Sequence, residues 1–236
     1  MQVKKSDKQV IGKTEQICIV LRSAIIENVI VAGSRLPEDA IGEQFGVSRT
    51  LAKQALEKLA SEGLVEIRPN KGAVVATPSW QDARDIIDLR IVIEDLIVRR
   101  LCGNLTPEQI QRLKDHIALE EAAKSHIEPR SIRLATDFHV LLGEMANSPI
   151  LLKFLREIVY RCGLTLAMYS RPHSSECGVT EHLELVDALV AADEKKATKL
   201  MTRHLENIAQ RAQIKPSSSP KALAEAIAHY RDTLAQ

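Results

Sequence analysis

Apolar positions along this chain recur almost everywhere at helical spacing, and one short stretch breaks that rhythm. In "TEQICIVLRSAIIENVI", Ile17, Val20, Leu21, Ala24 and Ile25 fall on one helical face. A turn at Ala32-Gly33 follows. Pro37, Glu38 and Asp39 then suit the first turn of a second helix, where proline lacks a needed N–H and acids meet the positive end of the dipole. That helix ends near Phe45-Gly46. Ser48 is a good N-cap for a third helix, whose buried stripe is Ala52, Ala55, Leu56 and Leu59 and whose opposite face is Arg49, Thr50, Lys53, Gln54 and Glu57. Gly63 is its natural stop. The rhythm changes in "LVEIRPNKGAVVAT", where β-branched runs flank Pro69-Asn70-Lys71-Gly72, a turn calling for positive φ at the glycine. Helix, tight turn, helix and a basic-tipped hairpin make a winged helix-turn-helix.

From Pro78 to Ile214 every long segment is again helical in period, broken at Asn104–Pro107, at Glu128-Pro129, at Ser148-Pro149 and in "SRPHSSECG". The fold class expected is mainly α, with a winged helix-turn-helix over 8–77, an all-helical bundle over 78–214, and a Ser/Pro linker with an extra helix over 215–236. In that tail Leu223, Ile227 and Tyr230 are spaced for docking. The segment after Trp80 carries one stripe of Ile86, Leu89, Ile93, Leu96, Ile97 and Leu101, and Ile87, Ile91, Val92 and Val98 make much of the remainder apolar. A helix apolar over most of its circumference is expected at the centre of its domain.

Composition narrows the class. The 236 residues are 45% hydrophobic, 27% charged and only 3% aromatic, which gives a globular chain with an aliphatic core. No apolar run approaches the roughly 18 residues of a bilayer span. "MQVKKSDKQVIGK" lacks a signal-peptide core, and Cys18, Cys102, Cys162 and Cys177 show no C-x-x-C spacing, so a reduced, cytoplasmic setting is expected. The net charge of +1 offers no global attraction for a polyanion, and residues 1–77 hold 11 Lys/Arg against 9 Asp/Glu. A nucleic-acid reading must therefore rest on where charges lie.

They lie well for DNA. The third helix would enter a major groove with its N-terminus, where Arg49 reaches phosphate or guanine, while Lys71 at the wing tip meets backbone or minor groove. One winged helix reads a half-site, so a homodimer on a palindromic double-stranded operator is expected. In the bundle, His139, His182 and His204 each sit on the apolar stripe of a separate helix. A single such histidine is usually a core residue; three point to a shared site, most simply a metal centre. His116, His126, His173 and His229 are assigned no role. Arg90 falls between Ile86, Ile93 and Ile97, either paired internally with Glu94 or held for a ligand carboxylate. A metal-dependent hydrolase with a three-histidine site is the alternative function. No general base adjoins the histidines, however, and the HD dipeptide of helical phosphohydrolases is absent.

The stretch "GSRLPEDAIGEQFGVSRTLAKQALEKLASEGLVEIRPNKGAVV" resembles the GntR family of bacterial transcription regulators along its whole length. The resemblance implies DNA contact by Arg35, Ser48, Arg49, Thr50 and Lys53, with the wing at Asn70, Lys71 and Gly72. Where many members carry Pro-Val-Arg, this chain has Leu51-Ala52-Lys53, and Lys53 lacks the fork of an arginine, which suits a phosphate contact. "LRIVIE", "FHVLLGEMANSPIL", "EHLELVDALVAADEKKA" and "MTRHL" resemble the FCD ligand-binding domain of the FadR-type branch. That likeness implies a small-molecule effector, repression relieved by it, and a divalent metal (Zn, Ni or Mn) held by His139, His182 and His204. In metal-binding members an aspartate one turn before the Phe-His histidine completes the set. Here that position is Ala135, and Asp137 points elsewhere on the helix. Either an open position remains for a carboxylate effector, or Arg90 and the histidines hydrogen-bond an organic acid without metal.

Overall fold

The computed structural model describes residues 11–124, 130–169 and 176–211. Among them nine helices and one hairpin run in the order α1 (Lys13–Ile26), α2 (Glu38–Phe45), α3 (Arg49–Ser61), β1 (Val65–Arg68), β2 (Gly72–Val75), α4 (Trp80–Leu101), α5 (Pro107–Lys124), α6 (Arg130–Met145), α7 (Pro149–Tyr169), α8 (Glu176–Val190) and α9 (Glu194–Arg211). The tail with Leu223, Ile227 and Tyr230, together with His126, His173 and His229, lies outside the described residues.

Local chemistry sets the boundaries in the winged helix. The Ser48 hydroxyl accepts from the Leu51 N–H at 3.3 Å and caps α3. Between α2 and α3 the backbones approach so closely that a Cβ on Gly42 would stand 2.9 Å from the Val47 carbonyl oxygen. Only glycine permits that helix-turn-helix corner. β1 and β2 pair antiparallel with Val65 opposite Val75 and Arg68 opposite Gly72. The turn between them takes left-handed backbone at Asn70 (φ 60°) and Gly72 (φ 74°), as the turn sequence asks. A third, short rung comes from Arg35, whose backbone bridges Val74.

In the bundle α4 packs against α9, α7 and α6. Ser79 and Asp82 close a capping box at its start. α4 is central in the bundle, as expected, but its apolar positions are not all turned inward. Leu89, Val92 and Leu96 are 52%, 69% and 40% exposed, whereas Arg90 and Glu94 are buried with Ile86, Ile97, Val98 and Leu101. The helix turns its charged pair inward because those charges find partners there, and an apolar face is left outward.

The two parts share a continuous core running from Ile17, Ile25 and Ile26 of α1 to Tyr160 and Leu164 of α7. Polar contacts pin the junction. Arg133 of α6 donates to Glu27 at 2.5 Å, and Arg22 holds Glu62 through two hydrogen bonds while lying 4.9 Å from the Tyr160 ring centre.

Candidate functional site: a DNA-facing helix and a buried histidine cluster

The basic residues of the winged helix form an exposed surface. Ser48, Arg49, Thr50 and Lys53 are exposed along the start of α3, Arg35 is exposed beside the wing, and Asn70, Lys71 and Gly72 form its tip. Arg49 is tethered rather than free. Its Nε donates to Glu38 at 2.7 Å and Asp39 lies 3.7 Å away, so these acids hold its guanidinium charged. Lys53 lies 3.8 Å from Glu57. Such solvent-exposed pairs are weak and exchange readily for phosphate. Ser48 keeps its hydroxyl proton free to donate, because capping uses only its lone pair.

The second cluster is its opposite in every respect. His139 on α6, His182 on α8 and His204 on α9 are 2%, 0% and 4% exposed, and one ring nitrogen from each lies within 4.8 Å of the others. Helical spacing explains the convergence, since each histidine occupies the core-facing stripe of its helix. Phe138 stacks on the His182 ring at 3.9 Å and backs the cluster. Each Nδ1 donates to a different carboxylate: His139 to Glu94 of α4 at 2.5 Å, His182 to Glu120 of α5 at 2.8 Å, and His204 to Glu181 of α8 at 2.6 Å. Three Nε2 lone pairs are thereby aimed at one point.

Protonation follows from burial. Desolvation pulls His139 down to about 4, helped by Arg90 and His182 and opposed by Glu94. Desolvation likewise pulls His204 down to about 3. Burial alone would raise the glutamates, but Arg90 beside Glu94, and His182 beside Glu120, hold both carboxyls down to about 2. His139 and His204 are thus neutral imidazoles whose Nδ1 atoms face carboxylates, the arrangement that orients metal-ligating histidines.

That state leaves an unresolved contact. Nε2 of His204 lies 3.3 Å from Nε2 of His182 and 3.2 Å from Nε2 of His139. With every ring proton on Nδ1, these are lone pairs facing lone pairs, and no hydrogen bond relieves them. A divalent ion bonded to nitrogen at about 2.0–2.1 Å in tetrahedral geometry spaces its ligands about 3.3–3.4 Å apart. The two spacings from His204, and three imidazole donors within 4.8 Å of one another, are of the kind a zinc-like ion takes.

Arg90 is paired internally with Glu94, the first of its two readings. Its Nε donates to Glu94 at 2.6 Å and its Nη1 to the Cys162 sulfur at 3.2 Å, while Nη2 is buried with no hydrogen-bond partner among the described residues. It lines a pocket shared with His139, His204 and Ala135. Asp137 stands away from this pocket, 3.3 Å from Arg133 in the cleft beneath α1.

Sequence reasoning missed Glu120 and Glu181, and took Glu94 only as a partner of Arg90. It also gave His116 no role, yet its Nε2 donates to the Leu134 carbonyl at 2.9 Å and sits 3.3 Å from Glu120. The i,i+4 spacing of His116 and Glu120 was the available signal.

Residues 13–75 match the gntR family of bacterial regulatory proteins, and residues 85–207 match the FCD domain. The chain belongs to the GntR family. It is 28% identical over 203 residues to the HTH-type transcriptional repressor RspR of Escherichia coli (strain K12), covering 83% of this chain and 87% of that one. To the Uxu operon regulator of Haemophilus influenzae it is 26% identical over 226 residues, covering 87% and 84%. Among solved structures, E. coli McbR/YncC has the same fold, with a TM-score of 0.74 at 22% identity over 86% of this chain and 99% of that one. A transcriptional regulator GntR from Rhodococcus sp. RHA1 superposes with a TM-score of 0.69 at 25% identity, over 86% and 97%. This GntR chain is thus a DNA-binding transcriptional regulator with an effector-binding domain, not an enzyme, and the hydrolase reading of its histidines has no counterpart in these regulators. Among the described residues no helix is long and apolar enough to cross a membrane.

Proposed function

We propose that this regulator works in the cytoplasm as a homodimeric repressor on a palindromic operator, released by a small carboxylate that enters the histidine-lined pocket. The winged helix over 8–77 reads DNA with Arg49 and Thr50 at base edges, and Arg35, Ser48, Lys53, Asn70, Lys71 and the Gly72 backbone on phosphate or minor groove. The helical domain over 78–214 holds a divalent ion on His139, His182 and His204. The single observation carrying the effector reading is Arg90, a buried guanidinium on the lining of the same pocket as His139 and His204, whose Nη2 has no partner among the described residues. A buried guanidinium N–H without an acceptor costs free energy that an incoming carboxylate returns.

When bound, the ion supplies a Lewis-acidic anchor for an oxygen ligand. The protein's own part is to orient the imidazoles through Glu94, Glu120 and Glu181, to hold His139 and His204 neutral by burial, and to back the cluster with Phe138. Ala135 leaves open the place where the family's aspartate would reach. The outward Leu89, Val92 and Leu96 of α4 supply an apolar face for the second copy. Repression as the sign draws support from the relative named as a repressor.

A gel-shift titration with DNA from upstream of the protein's own gene tests the reading. Salt-sensitive binding that a small carboxylate weakens is expected, because effector and DNA must oppose each other reciprocally. Absence of salt-sensitive binding to any sequence sinks it.

A further inference from the structure

Two acids stand against Arg49, and they are not equivalent. Asp39 lies 3.7 Å from Nη1 with its side chain 76% exposed, so a phosphate can replace it at little cost. Glu38 accepts from Nε at 2.7 Å, and its side chain is only 22% exposed. It is the sheltered partner. Glu38 is also well placed by the fold, as the first residue of α2, directly after Pro37 and one turn before Gly42. At Gly42 the chain between the two helices comes closest, and Ile41 joins the same core as Ala52, Ala55 and Leu56 of α3. The helix-turn-helix corner therefore fixes where Glu38 stands against the start of α3.

A guanidinium carries N–H donors on three nitrogens in a planar fork. It can grip two acceptors side-on, through Nε and one Nη, or end-on, through both Nη atoms. The bond to Glu38 uses Nε and leaves the end-on fork, which suits O6 and N7 on the edge of a guanine. A duplex laid against α3 also excludes water from the pair. In that drier setting the attraction between Arg49 and Glu38 strengthens.

We infer that Glu38 is a positioning residue for sequence readout: it stays on Nε of Arg49 while DNA is bound and so presents both Nη atoms to a guanine. The inference rests on the base-edge reading of Arg49 and says what aims that side chain. Glu38 also has an opposite effect. Its charge repels phosphates, so it lowers affinity for every sequence while it raises the preference for one. Substitution separates the two effects, because glutamine loses the charge and keeps an acceptor oxygen, whereas alanine loses both.

Binding-site selection from a random-sequence duplex pool tests this with the full chain and with Arg49→Ala, Glu38→Ala and Glu38→Gln. Fluorescence anisotropy then reads affinity for the enriched duplex, for its single-base variants and for poly(dA-dT), which offers no guanine. Arg49→Ala should lose its preference at one guanine of the enriched motif. Glu38→Ala should lose roughly tenfold of the preference at that same position and at no other, while binding poly(dA-dT) roughly two- to fivefold tighter than the parent. Glu38→Gln should keep the preference and share the tighter binding to poly(dA-dT). A purely structural role for Glu38 would weaken all duplexes alike. The inference is overturned, with Arg49 left as a reader, by Glu38→Ala that keeps the preference or weakens every duplex equally. Glu38→Gln that loses the preference as fully as the alanine variant overturns it too. Arg49→Ala that alters no base preference, or a parent that enriches no motif, removes the reader and the inference with it.

Discussion

The leading end of α3 and the histidine cluster both present ionisable side chains to a partner, yet they are built in opposite ways. Arg49 is exposed and leans on Glu38 and Asp39, which are themselves in reach of water. His139 and His204 are buried, and their rings are oriented by the buried Glu94 and the half-buried Glu181. Exposed pairs are worth little individually and can be traded, which suits a polyanion met and left repeatedly. Buried ones fix protonation and geometry in advance, which suits a small ligand held at one point. The same residue chemistry therefore serves two purposes according to its dielectric surroundings.

The comparison is broken most severely by His204→Ala. Metal analysis should find about one ion per chain in the parent and almost none in the variant, because two imidazoles seldom hold a structural or catalytic zinc. Salt-sensitive affinity for non-specific DNA should be untouched. Loss of both functions together would mean the two regions are not separable. Arg49→Ala comes next, with specific operator affinity falling roughly 10- to 100-fold while the melting temperature holds. Retained affinity in a gel shift would remove Arg49 from the reading face.

Acid sharpens the contrast. In metal-free protein His139 and His204 titrate at about 4 and about 3, below the ordinary value near 6.5. Between those limits the unfolded chain binds more protons than the folded one, so stability is full above 6.5 and is lost as pH falls toward 4. Glu94 and Glu120, held near 2, withdraw further stability only below the ordinary glutamate range. Melting of chelator-treated protein should drop by several degrees between pH 7 and pH 5, on the order of a few kcal/mol. A flat profile would show that the histidines are not buried neutral. The winged helix weakens instead on the alkaline side, where burial pushes the Cys18 thiol up to about 11. The smallest effect expected is from Ala135→Asp, which should tighten metal about tenfold in competition with a chelator. No change would mean residue 135 does not reach the site.

Much of this architecture was legible in residue order. The cap at Ser48, the stripe of α3 and the turn at Asn70–Gly72 are local, so spacing and residue type suffice. The three histidines were legible too, since each stands out on an apolar stripe. Their carboxylates were not. Glu94, Glu120 and Glu181 come from other positions 45, 62 and 23 residues away, and a glutamate on an amphipathic helix reads as solvated until the fold turns it inward. The orientation of α4 failed for the same reason. Counting apolar positions placed Leu89 and Leu96 inside, whereas paired burial of Arg90 with Glu94 decided the matter.

Helix α6 belongs to both halves at once. Arg133 reaches across to Glu27 of the winged helix, and two positions on, Ala135 lines the pocket. A chimera that grafts a foreign ligand domain after residue 77 would sever that arrangement unless the donor brought its own counterpart to Arg133. The workable seam for swapping specificities in this protein is therefore a surface running along one side of α6, and not a point in the chain.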